Sequence, residues 1–469
     1  MKKPIITVDI ETYSPQDIAK VGAYRYAQDP DFQILLLGYV NEDLDTPTVI
    51  DLTTWPDTAH FLREQLPWLL DASYTKRAHN AAFEWWCLSE AMGLSWGQRV
   101  LWLQQWECSM IHALYCAQPA QLGALGQVLQ QPEDALKMKE GKALITYFCK
   151  PCKPTKRNGG RTRNLPQHDP DKWRLFCRYN GMDVIAERAN DRKLAPWPVP
   201  ESIMQQWRED VEMNARGVAV DMALVEGALA CSALITEEQT AESKTLTGLT
   251  NPGSRAQLLG WLHNRGIELP GLTKEDVTHA LAGELPSDVR RVLELRQQLG
   301  KTSNTKYETI AASAGPDHRV RGTLQFYGAN RTGRWAGRLL QVQNLPRTYL
   351  DHQAEWRSIV KLHDPEALAL LTDNVSDTLS QLIRTALVPG KGCTFVDADF
   401  SAIEARLIAW LAGEEWVLDV FRTTGKIYEA TAARIFGVPF DSIVKGNPNY
   451  KYRQRGKVAT LALGYQGGG

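Results

Sequence analysis

Three prolines within five residues, Pro196, Pro198 and Pro200, interrupt the chain before its midpoint. Each proline fixes φ at about −65° and lacks an amide hydrogen, so this stretch resists both helix and central strand and predicts a stiff linker. A chain of 469 residues is also too long for a single core, because most domains hold roughly 100–200 residues. We therefore expect roughly two to four domains, one of which ends at this linker.

The pattern of residues differs on the two sides of the linker. Upstream, mixed strand-like and helix-like runs predict an α/β domain with a long loop at 149–170. Residues 201–312 show amphipathic periodicity, which favours a helical domain, and Asn251–Ser254 opens one of its helices. From about residue 318 strands and turns are expected, and helices return after Ser401. The predicted fold class is a multi-domain α/β protein.

Composition and charge limit the classes of protein to which this chain can belong. No stretch approaches the ~20 apolar residues of a membrane span, and the N-terminus does not resemble a signal peptide, so we expect a reducing cytoplasm and no membrane partner. The 53 basic residues are balanced by 54 acidic ones, which argues against a wholly basic nucleic-acid coat but leaves room for local basic tracks. One track without acids consists of Lys150, Lys153, Lys156, Arg157, Arg161 and Arg163. Such a run is more often a solvated loop than a DNA contact, and both interpretations stay open.

Cys149 and Cys152 have the spacing of a pair of metal ligands. A zinc site needs a second pair, and Pro151 and Pro154 make a loop the better interpretation. We interpret both cysteines as structural.

A pair of carboxylates lies in the first strand-like run, residues 5–12. Side chains alternate along a strand, so Asp9 and Glu11 project to one side while Val8 and Ile10 are buried on the other. Two adjacent carboxylates repel each other unless a divalent cation lies between them. On its own, Asp-x-Glu is more often an exposed polar strand face.

Two later segments supply partners for this pair. Residues 78–84 follow a helical stretch and place Glu84 directly after an aromatic residue. Tyr179 and Asp183 are separated by four residues, which places them on one helix face. Four carboxylates and a tyrosine are the groups that two-metal phosphodiester hydrolysis requires. One ion supplies hydroxide near neutral pH, the other stabilises the leaving oxygen, and the phenol orients the water.

These segments resemble the three motifs of DnaQ-like 3′→5′ exonucleases of the tyrosine subclass, which have a ribonuclease H-like fold and occur in family A DNA polymerases. The resemblance implies that Asp9, Glu11, Glu84 and Asp183 are metal ligands and that Tyr179 positions the water. The second motif normally ends in Asp, whereas Glu84 stands here. Its extra methylene shifts the carboxylate by roughly an ångström or more, so we expect proofreading to be weakened.

A second group of acids lies at 392–401, which is predicted as a strand with Asp397 and Asp399 on one face. A helix should follow at once, with Ser401 as N-cap and Glu404 at its third position, a capping box. Local physics alone favours capping as the role of Ser401 and Glu404.

Four residues then recur at intervals of four along a predicted helix. They are Arg453, Lys457, Leu461 and Tyr465. Two cations one turn apart, with an aromatic ring beyond, suit a triphosphate lying along the helix. A surface helix with basic residues by chance is an equally good interpretation of this helix taken alone.

The combination resembles the polymerase region of family A, polymerase I-like DNA polymerases of phage type. Motif A corresponds to 396–406, the following fingers element to 427–437 and motif B to 453–465. Palm segments correspond to 331–334 and 343–346, and thumb segments to 251–262 and 301–307. The implied domains are a 3′→5′ exonuclease at 1–198, a helical thumb at 199–315, the first part of a palm at 316–425 and partial fingers at 426–469.

The resemblance implies a role for each matching residue. Asp399 would hold both catalytic Mg²⁺ ions, and Glu404 would exclude ribonucleotides. Arg453 and Lys457 would bind the incoming triphosphate, and Tyr465 would stack at the templating position. The residues that would contact the primer-template duplex are Arg334, Gln343 and Asn344. Leu461 replaces an aromatic residue at the nucleotide-facing position, and Tyr428 stands where many members have His.

Family A polymerases also need a second palm carboxylate downstream of motif B, and none follows within these 469 residues. We therefore expect this chain alone to be deficient in synthesis, as a gene fragment, a truncated sequence or one piece of a split enzyme. Three functions stay open: a family A polymerase with proofreading, a working exonuclease with a DNA-gripping polymerase remnant, and a non-enzymatic replication protein. Intact Asp9, Glu11, Tyr179 and Asp183 count against the third.

The expected cofactor is Mg²⁺ or Mn²⁺, two ions in each active site. The expected partners are primer-template DNA and deoxynucleotides, together with a C-terminal polymerase fragment if the enzyme is split. A processivity factor is compatible with the sequence, although no segment marks its docking site. The expected location is the cytoplasm of a bacterium or of a phage-infected host.

Overall fold

The computed structural model describes residues 3–41, 46–299, 304–330, 332–372 and 374–464. It consists of two units, residues 1–391 and 392–469. Within the described ranges, no helix is long and apolar enough to cross a membrane.

A five-stranded sheet forms the centre of the N-terminal part. Its strands are β1 (Ile5–Tyr13), β2 (Gln33–Asn41), β3 (Thr48–Asp51), β4 (Thr75–Ala78) and β5 (Trp106–Cys108), in the order β3-β2-β1-β4-β5. The first three strands pair antiparallel, whereas β4 runs parallel to β1 and β5 runs parallel to β4. The predicted strand carrying Asp9 and Glu11 is confirmed as β1. It is central and covered on both faces, since Val8, Ile10 and Glu11 are all buried, so it is not an exposed polar strand.

Eight helices surround this sheet within the described residues. They are α1 (Ile18–Ala27), α2 (Thr58–Glu64), α3 (Ala82–Ala91), α4 (Trp96–Leu103), α5 (Ser109–Tyr115), α6 (Leu122–Val128), α7 (Gly141–Phe148) and α8 (Pro170–Leu194). Helix α8 starts where the Asp169 side chain accepts a hydrogen bond from the amide of Lys172, with Pro170 in the first turn. The predicted helix carrying Tyr179 and Asp183 is therefore confirmed.

The local setting of Glu84 differs from the prediction. The segment 78–84 begins with the last residue of strand β4 and does not follow a helical stretch. Asn80 adopts a positive φ of 74°, a conformation that Asn tolerates better than most residues, and the chain turns there into α3. Glu84 consequently lies in the first turn of α3.

The two predicted irregular segments of the N-terminal part are confirmed. Two short 3₁₀ turns are the only regular structure between α7 and α8, and residues 195–200 form neither helix nor strand. Helix α9 begins at Glu201, directly after this linker.

The region after the linker is mostly helical, as predicted. Its elements are α9 (Glu201–Arg216), β6 (Val218–Val220), α10 (Met222–Thr247), α11 (Arg255–His263), α12 (Lys274–Leu281), α13 (Ser287–Leu299) and α14 (Thr305–Ser313). The Ser254 side chain caps α11 by accepting from the amide of Gln257, as the Asn251–Ser254 signal predicts. Residues 301–303 of the predicted thumb segment lie outside the described residues.

The following region holds more helix than its sequence predicts. Its strands are β7 (Arg319–Val320), β8 (Leu324–Ala329), β9 (Arg334–Gly337) and β10 (Leu387–Val388), and its helices are α15 (Gln353–Val360), α16 (Pro365–Leu371) and α17 (Val375–Leu382). Strand β6 pairs antiparallel with both β7 and β10. These helices pack on the helical region, because one buried cluster joins a residue of each helix to that region: Val360, Leu368 and Leu379 with Leu224 and Tyr307.

The second unit corrects two predictions. Residues 393–400 form no strand and are exposed. A strand needs a neighbour to pair its backbone groups, and the described part of this unit contains no other strand. The capping box is also absent, because α18 starts at Ile403 after Ala402, which has φ of 50° and no side-chain cap.

The remaining elements of the second unit are helical. They are α18 (Ile403–Ala412), α19 (Glu415–Thr423), α20 (Ile427–Phe436) and α21 (Lys451–Gly464). The predicted helix carrying Arg453, Lys457 and Leu461 is confirmed as α21. Tyr465 lies outside the described residues.

Candidate active site

Strand β1 and helix α8 bring three carboxylates together. One oxygen each of Asp9, Glu11 and Asp183 lies within 4.8 Å of the other two. The helix approaches the sheet closely because Gly38 on β2 has no side chain: a Cβ there would lie 2.5 Å from Asn180 Oδ1. Asn180 in turn donates from Nδ2 to Asp9 Oδ2 at 2.7 Å and so fixes the orientation of Asp9.

Burial makes this group of acids unfavourable in the absence of a counter-charge. Burial, followed by repulsion from Asp183, raises the pKa of Asp9 to about 7. Burial and the neighbouring acids Asp9 and Asp183 raise the pKa of Glu11 well above its usual value. Burial likewise raises the pKa of Asp183. Only a proton or a cation makes such a group of carboxylates stable.

Lys137 supplies one positive charge at this position. Its Nζ lies 2.5 Å from Asp183 Oδ2 and 5.0 Å from the centre of the Tyr179 ring. Burial lowers the Lys137 pKa, but the nearby carboxylates of Asp183, Asp9 and Glu11 outweigh it and leave that pKa raised. The sequence does not predict the role of Lys137, because a lysine in a connection before α7 carries no motif that points to the sheet.

Tyr179 lies on α8 one turn before Asp183 and is buried. Burial, then the charges of Asp183 and Glu11, raise the pKa of the phenol, which keeps it protonated. The ring packs flush against the start of α7, because a Cβ on Gly141 would lie 2.1 Å from Tyr179 Cε2.

Glu84 approaches the three acids from α3. It is 5% exposed, and its Oε2 has no hydrogen-bond partner. Burial first, then Asp9, Glu187 and Glu11, raise its pKa well above the usual value. Its carboxylate nevertheless lies outside the group of three that share the 4.8 Å limit.

Glu187 is a further acid of this site that no sequence motif includes. It lies one turn after Asp183 on α8, is 2% exposed, and has an Oε1 atom without a hydrogen-bond partner. The regular spacing of Tyr179, Asp183 and Glu187 indicates that Glu187 lies near the other two, since residues four apart follow one helix face.

A cleft of about 380 Å³ opens beside Glu11. Its walls include the aromatic rings of Tyr26 and Phe83 and the aliphatic side chain of Ile145. Cys149 also lines it, with Sγ 3.8 Å from Glu11 Oε2. Cys152 lies apart in the loop, where its Sγ is 3.4 Å from the Arg161 carbonyl.

The donor set fits a hard divalent cation. Mg²⁺ and Mn²⁺ prefer carboxylate oxygens, and Asp9, Glu11 and Asp183 offer them at short range. Asp183 Oδ1 and Glu84 Oε2 are buried and without hydrogen-bond partners, as expected of oxygens that are available to a metal.

In the first unit, the predicted duplex-contacting residues lie on β9 and in the turn after it. Arg334 begins β9, and Gln343 and Asn344 form a 3₁₀ turn. The Gln343 amide packs against β9, because a Cβ on Gly337 would lie 2.1 Å from its Nε2.

In the second unit, α20 and α21 pack closely. Gly456 permits this, since a Cβ there would lie 2.2 Å from the Tyr428 carbonyl oxygen. Arg453 donates from Nε to Glu429 Oε1 at 2.7 Å and lies 5.6 Å from the Tyr428 ring centre. The structure places Asp399 in the exposed segment 393–400, away from any regular element.

Comparisons with known proteins give a consistent result. Residues 234–467 match the family model described as DNA polymerase family A. The chain is 47% identical over 463 residues to a DNA polymerase of Bacillus phage SP02. This match covers 99% of this chain and 69% of that protein. It is 24% identical over 294 residues to DNA polymerase I of Bacillus caldotenax, covering 61% of this chain and 29% of that protein.

Among solved structures, the POL domain of Pol1 from M. smegmatis, in complex with DNA primer-template and dNTP, matches with a TM-score of 0.53 and 19% identity. The match covers 98% of this chain and 67% of that one. At this level of identity the likeness concerns the fold.

Proposed function

This chain belongs to DNA polymerase family A, and on that premise we propose that its N-terminal carboxylates form a 3′→5′ proofreading exonuclease site. The family's activity is template-directed DNA synthesis. The observation that carries the proposal is the convergence of Asp9, Glu11 and Asp183 within 4.8 Å, with the buried Tyr179 one helical turn from Asp183.

The proposed reaction is hydrolysis of the terminal phosphodiester by two-metal chemistry. Bound divalent cations would supply hydroxide at neutral pH and stabilise charge on the leaving oxygen. Asp9, Glu11 and Asp183 would hold them, with Glu84 as the fourth ligand. Its Oε2 atom is buried and without a hydrogen-bond partner, but the carboxylate lies outside the group of three, which supports the expectation of weakened proofreading.

The other residues of the site have separate tasks in this proposal. Tyr179 stays protonated and orients the attacking water with its hydroxyl. Asn180 holds Asp9 in one orientation by its hydrogen bond of 2.7 Å. The cleft lined by Tyr26, Phe83 and Ile145 would accept the 3′-terminal nucleotide, since aromatic and aliphatic walls suit a base of any sequence.

We assign the domains by the same proposal. The exonuclease would occupy 1–198 with a ribonuclease H-like fold, which the mixed sheet with its acid-bearing central strand supports. The thumb would occupy 199–315, the first part of the palm 316–425, and partial fingers 426–469.

The polymerase site is proposed from the family resemblance. Asp399 would bind Mg²⁺, and Glu404 would exclude ribonucleotides. Arg453 and Lys457 would bind the triphosphate from α21, beside Leu461, with Tyr465 beyond. Arg334, Gln343 and Asn344 would contact primer-template DNA, and deoxynucleotides would be the second substrate.

A second candidate is an exonuclease whose polymerase region only grips DNA. The observation that favours it is the contrast between the two sets of acids: Asp9, Glu11 and Asp183 are already assembled, whereas Asp399 lies in an exposed segment without a strand.

A gel assay separates the candidates. The purified chain is incubated with Mg²⁺ and a 5′-labelled primer-template, with and without dNTPs, and Asp9→Ala is run alongside. Shortening in the wild type that disappears in Asp9→Ala is the expected result. Equal shortening in both proteins, or none in either, would reject the exonuclease. Extension by Asp9→Ala would reject the second candidate.

A further inference from the structure

We propose that the loop between α7 and α8 binds the backbone phosphates of a single DNA strand and directs its 3′ end into the cleft beside Glu11. This basic loop, residues 149–165, contains six lysines and arginines and no acid. Its role in guiding the strand rests on the proposed exonuclease function, whereas its affinity for DNA does not.

Hydrogen bonds fix the shape of the basic loop. The amide of Cys152 donates to the Thr162 carbonyl at 2.7 Å, which joins the two sides of the loop. Asn158 holds them together as well, since its Nδ2 donates to the carbonyls of Lys153 at 2.9 Å and Arg161 at 3.3 Å. An ordered backbone presents its cations in one arrangement, so less conformational entropy is lost when a ligand binds.

The end of the basic loop is attached to the strand that carries Glu11. The Arg163 guanidinium lies 3.6 Å from the centre of the Tyr13 ring, and Tyr13 is two residues after Glu11 on β1. The buried Asn164 donates to the Tyr147 carbonyl at 3.0 Å and so holds the loop against α7. These contacts keep the loop beside the candidate active site.

The six cations of the basic loop fall into two groups. Arg161 and Arg163 are half-buried and stabilise the loop itself; Arg161, for example, donates from Nε to Asn164 Oδ1 at 2.8 Å. The other four are exposed, and no acid among the described residues forms an ion pair with them: Lys150, Lys153, Lys156 and Arg157. Exposed cations without neighbouring acids attract phosphates, and binding then releases the counterions of the nucleic acid.

The four exposed cations start at the cleft and continue away from it. Lys150 and Glu11 both line the cleft. The other three cations follow within seven residues of Lys150, a length of chain that spans at most about 25 Å. A strand whose terminal nucleotide occupies the cleft would therefore meet these cations with its next phosphates.

The size of the cleft indicates a single strand. Its volume of about 380 Å³ is that of a small-ligand pocket, which suits one unpaired nucleotide and not a duplex. Charge attraction to the backbone does not depend on base sequence, as a proofreading site requires. The alternative is that the basic loop is only a solvated surface, and charge alone does not distinguish the two.

The test measures binding of a 5′-fluorescent single-stranded oligodeoxynucleotide by anisotropy over a series of salt concentrations, in EDTA so that no cleavage occurs. The loop variant carries Lys153→Gln, Lys156→Gln and Arg157→Gln, all at exposed positions. The matched control carries Lys153→Arg, Lys156→Arg and Arg157→Lys, which keeps the charge. Circular dichroism checks that both variants are folded. A second arm measures, with Mg²⁺, the concentration of the same oligonucleotide that gives half-maximal shortening.

We expect the loop variant to bind roughly tenfold more weakly than wild type at about 50 mM salt. The slope of log affinity against log salt should become shallower by about 2, since each phosphate contact to a single strand contributes about 0.7. The control should match the wild type in both quantities. The half-maximal concentration of oligonucleotide should rise in the loop variant alone.

Three results would overturn this inference and leave the exonuclease intact in proteins that shorten DNA. Unchanged affinity and slope in the loop variant would make the basic loop a solvated surface. An equal loss in the control would show a structural effect. Weaker binding with an unchanged half-maximal concentration would place the bound strand away from the cleft. Charge-dependent binding by a wild-type protein that never shortens DNA would instead reject the exonuclease and retain the basic loop as a DNA-binding surface.

Discussion

Asn180 shows how one neutral side chain can control a charged site. Its Nδ2 donates to Asp9 Oδ2, and its own position is fixed by the close approach of α8 to Gly38. Residues that orient metal ligands contribute to metal affinity, because a ligand that rotates freely loses entropy when it binds.

Replacing Asn180 with Ala should therefore lower Mn²⁺ affinity roughly 10- to 100-fold, as measured by calorimetry on the metal-free protein. Asn190→Ala is the matched control, since Asn190 is also a buried amide on α8 and is hydrogen-bonded to Gln131. The control should lose stability without losing affinity. Equal affinities for wild type and Asn180→Ala would contradict the role given to Asn180.

At the scale of elements, the site depends on how two connections and one helix meet the sheet. The turn after β4 places Glu84, the connection before α7 places Lys137, and α8 carries Tyr179 and Asp183. The contacts at these connections are tight, so small changes of volume should be felt at the site.

Gly141→Ala should displace Tyr179, because the new Cβ would lie 2.1 Å from its ring. Overpacking of this kind costs about 1–3 kcal/mol of unfolding free energy, and primer shortening should fall with it. Gly97→Ala is the control: Gly97 lies in α4 with open space around it, and Ala favours helix. Unfolding and primer shortening are measured on both variants. Full primer shortening by Gly141→Ala would contradict this packing.

His79 links the turn after β4 to neighbouring elements, through Ser109 Oγ at 3.0 Å and the Ala120 carbonyl at 2.8 Å. Burial lowers its pKa from 6.5 to about 4. Between these values the unfolded chain binds a proton that the folded protein does not, so stability falls as the pH falls through this window.

Relative to His79→Gln, the wild type should lose up to about 1.4 kcal/mol per pH unit between pH 6.5 and 4. Urea unfolding followed by tryptophan fluorescence measures the difference. The buried acids give the free energy of unfolding the opposite pH dependence in both proteins. Subtracting the value for His79→Gln from the wild-type value therefore removes their contribution. Parallel pH profiles of the two proteins would show that His79 does not titrate in this way.

The elements that the sequence predicts well are those fixed by local signals. Strand β1 is rich in β-branched residues, and α8 has Asp169 as cap and Pro170 in its first turn. The segment 393–400 has strand-forming residues but no pairing partner in the described part of its unit, so local propensity is not enough there. Lys137 could not be predicted for a similar reason, since its position depends on the packing of a whole connection. Glu187 could have been found from its helical spacing.

At the scale of the whole molecule, most tryptophans lie within residues 1–391, so fluorescence reports mainly on the first unit. That unit carries three clustered acids, the half-buried Asp9 and the buried Glu11 and Asp183, which a cation would neutralise. Anything that binds the folded state alone stabilises it by mass action.

Mn²⁺ at about 100 times its Kd should therefore stabilise the first unit by about 2.7 kcal/mol relative to protein in EDTA. Urea unfolding followed by tryptophan fluorescence measures this. Asp9→Asn should lose most of the effect while remaining folded, because the amide keeps the shape and removes the charge. The same stabilisation in Asp9→Asn would place the ion elsewhere.

We propose that Asp9, Glu11 and Asp183 bind the cations for cleavage at a 3′ end. Single-turnover cleavage of a 5′-labelled oligonucleotide, with wild type and Asp9→Asn each in Mg²⁺ and in EDTA, tests it most directly. Stepwise shortening from the 3′ end is expected only for wild type with Mg²⁺. Shortening by Asp9→Asn at the wild-type rate, or by wild type in EDTA, would contradict it.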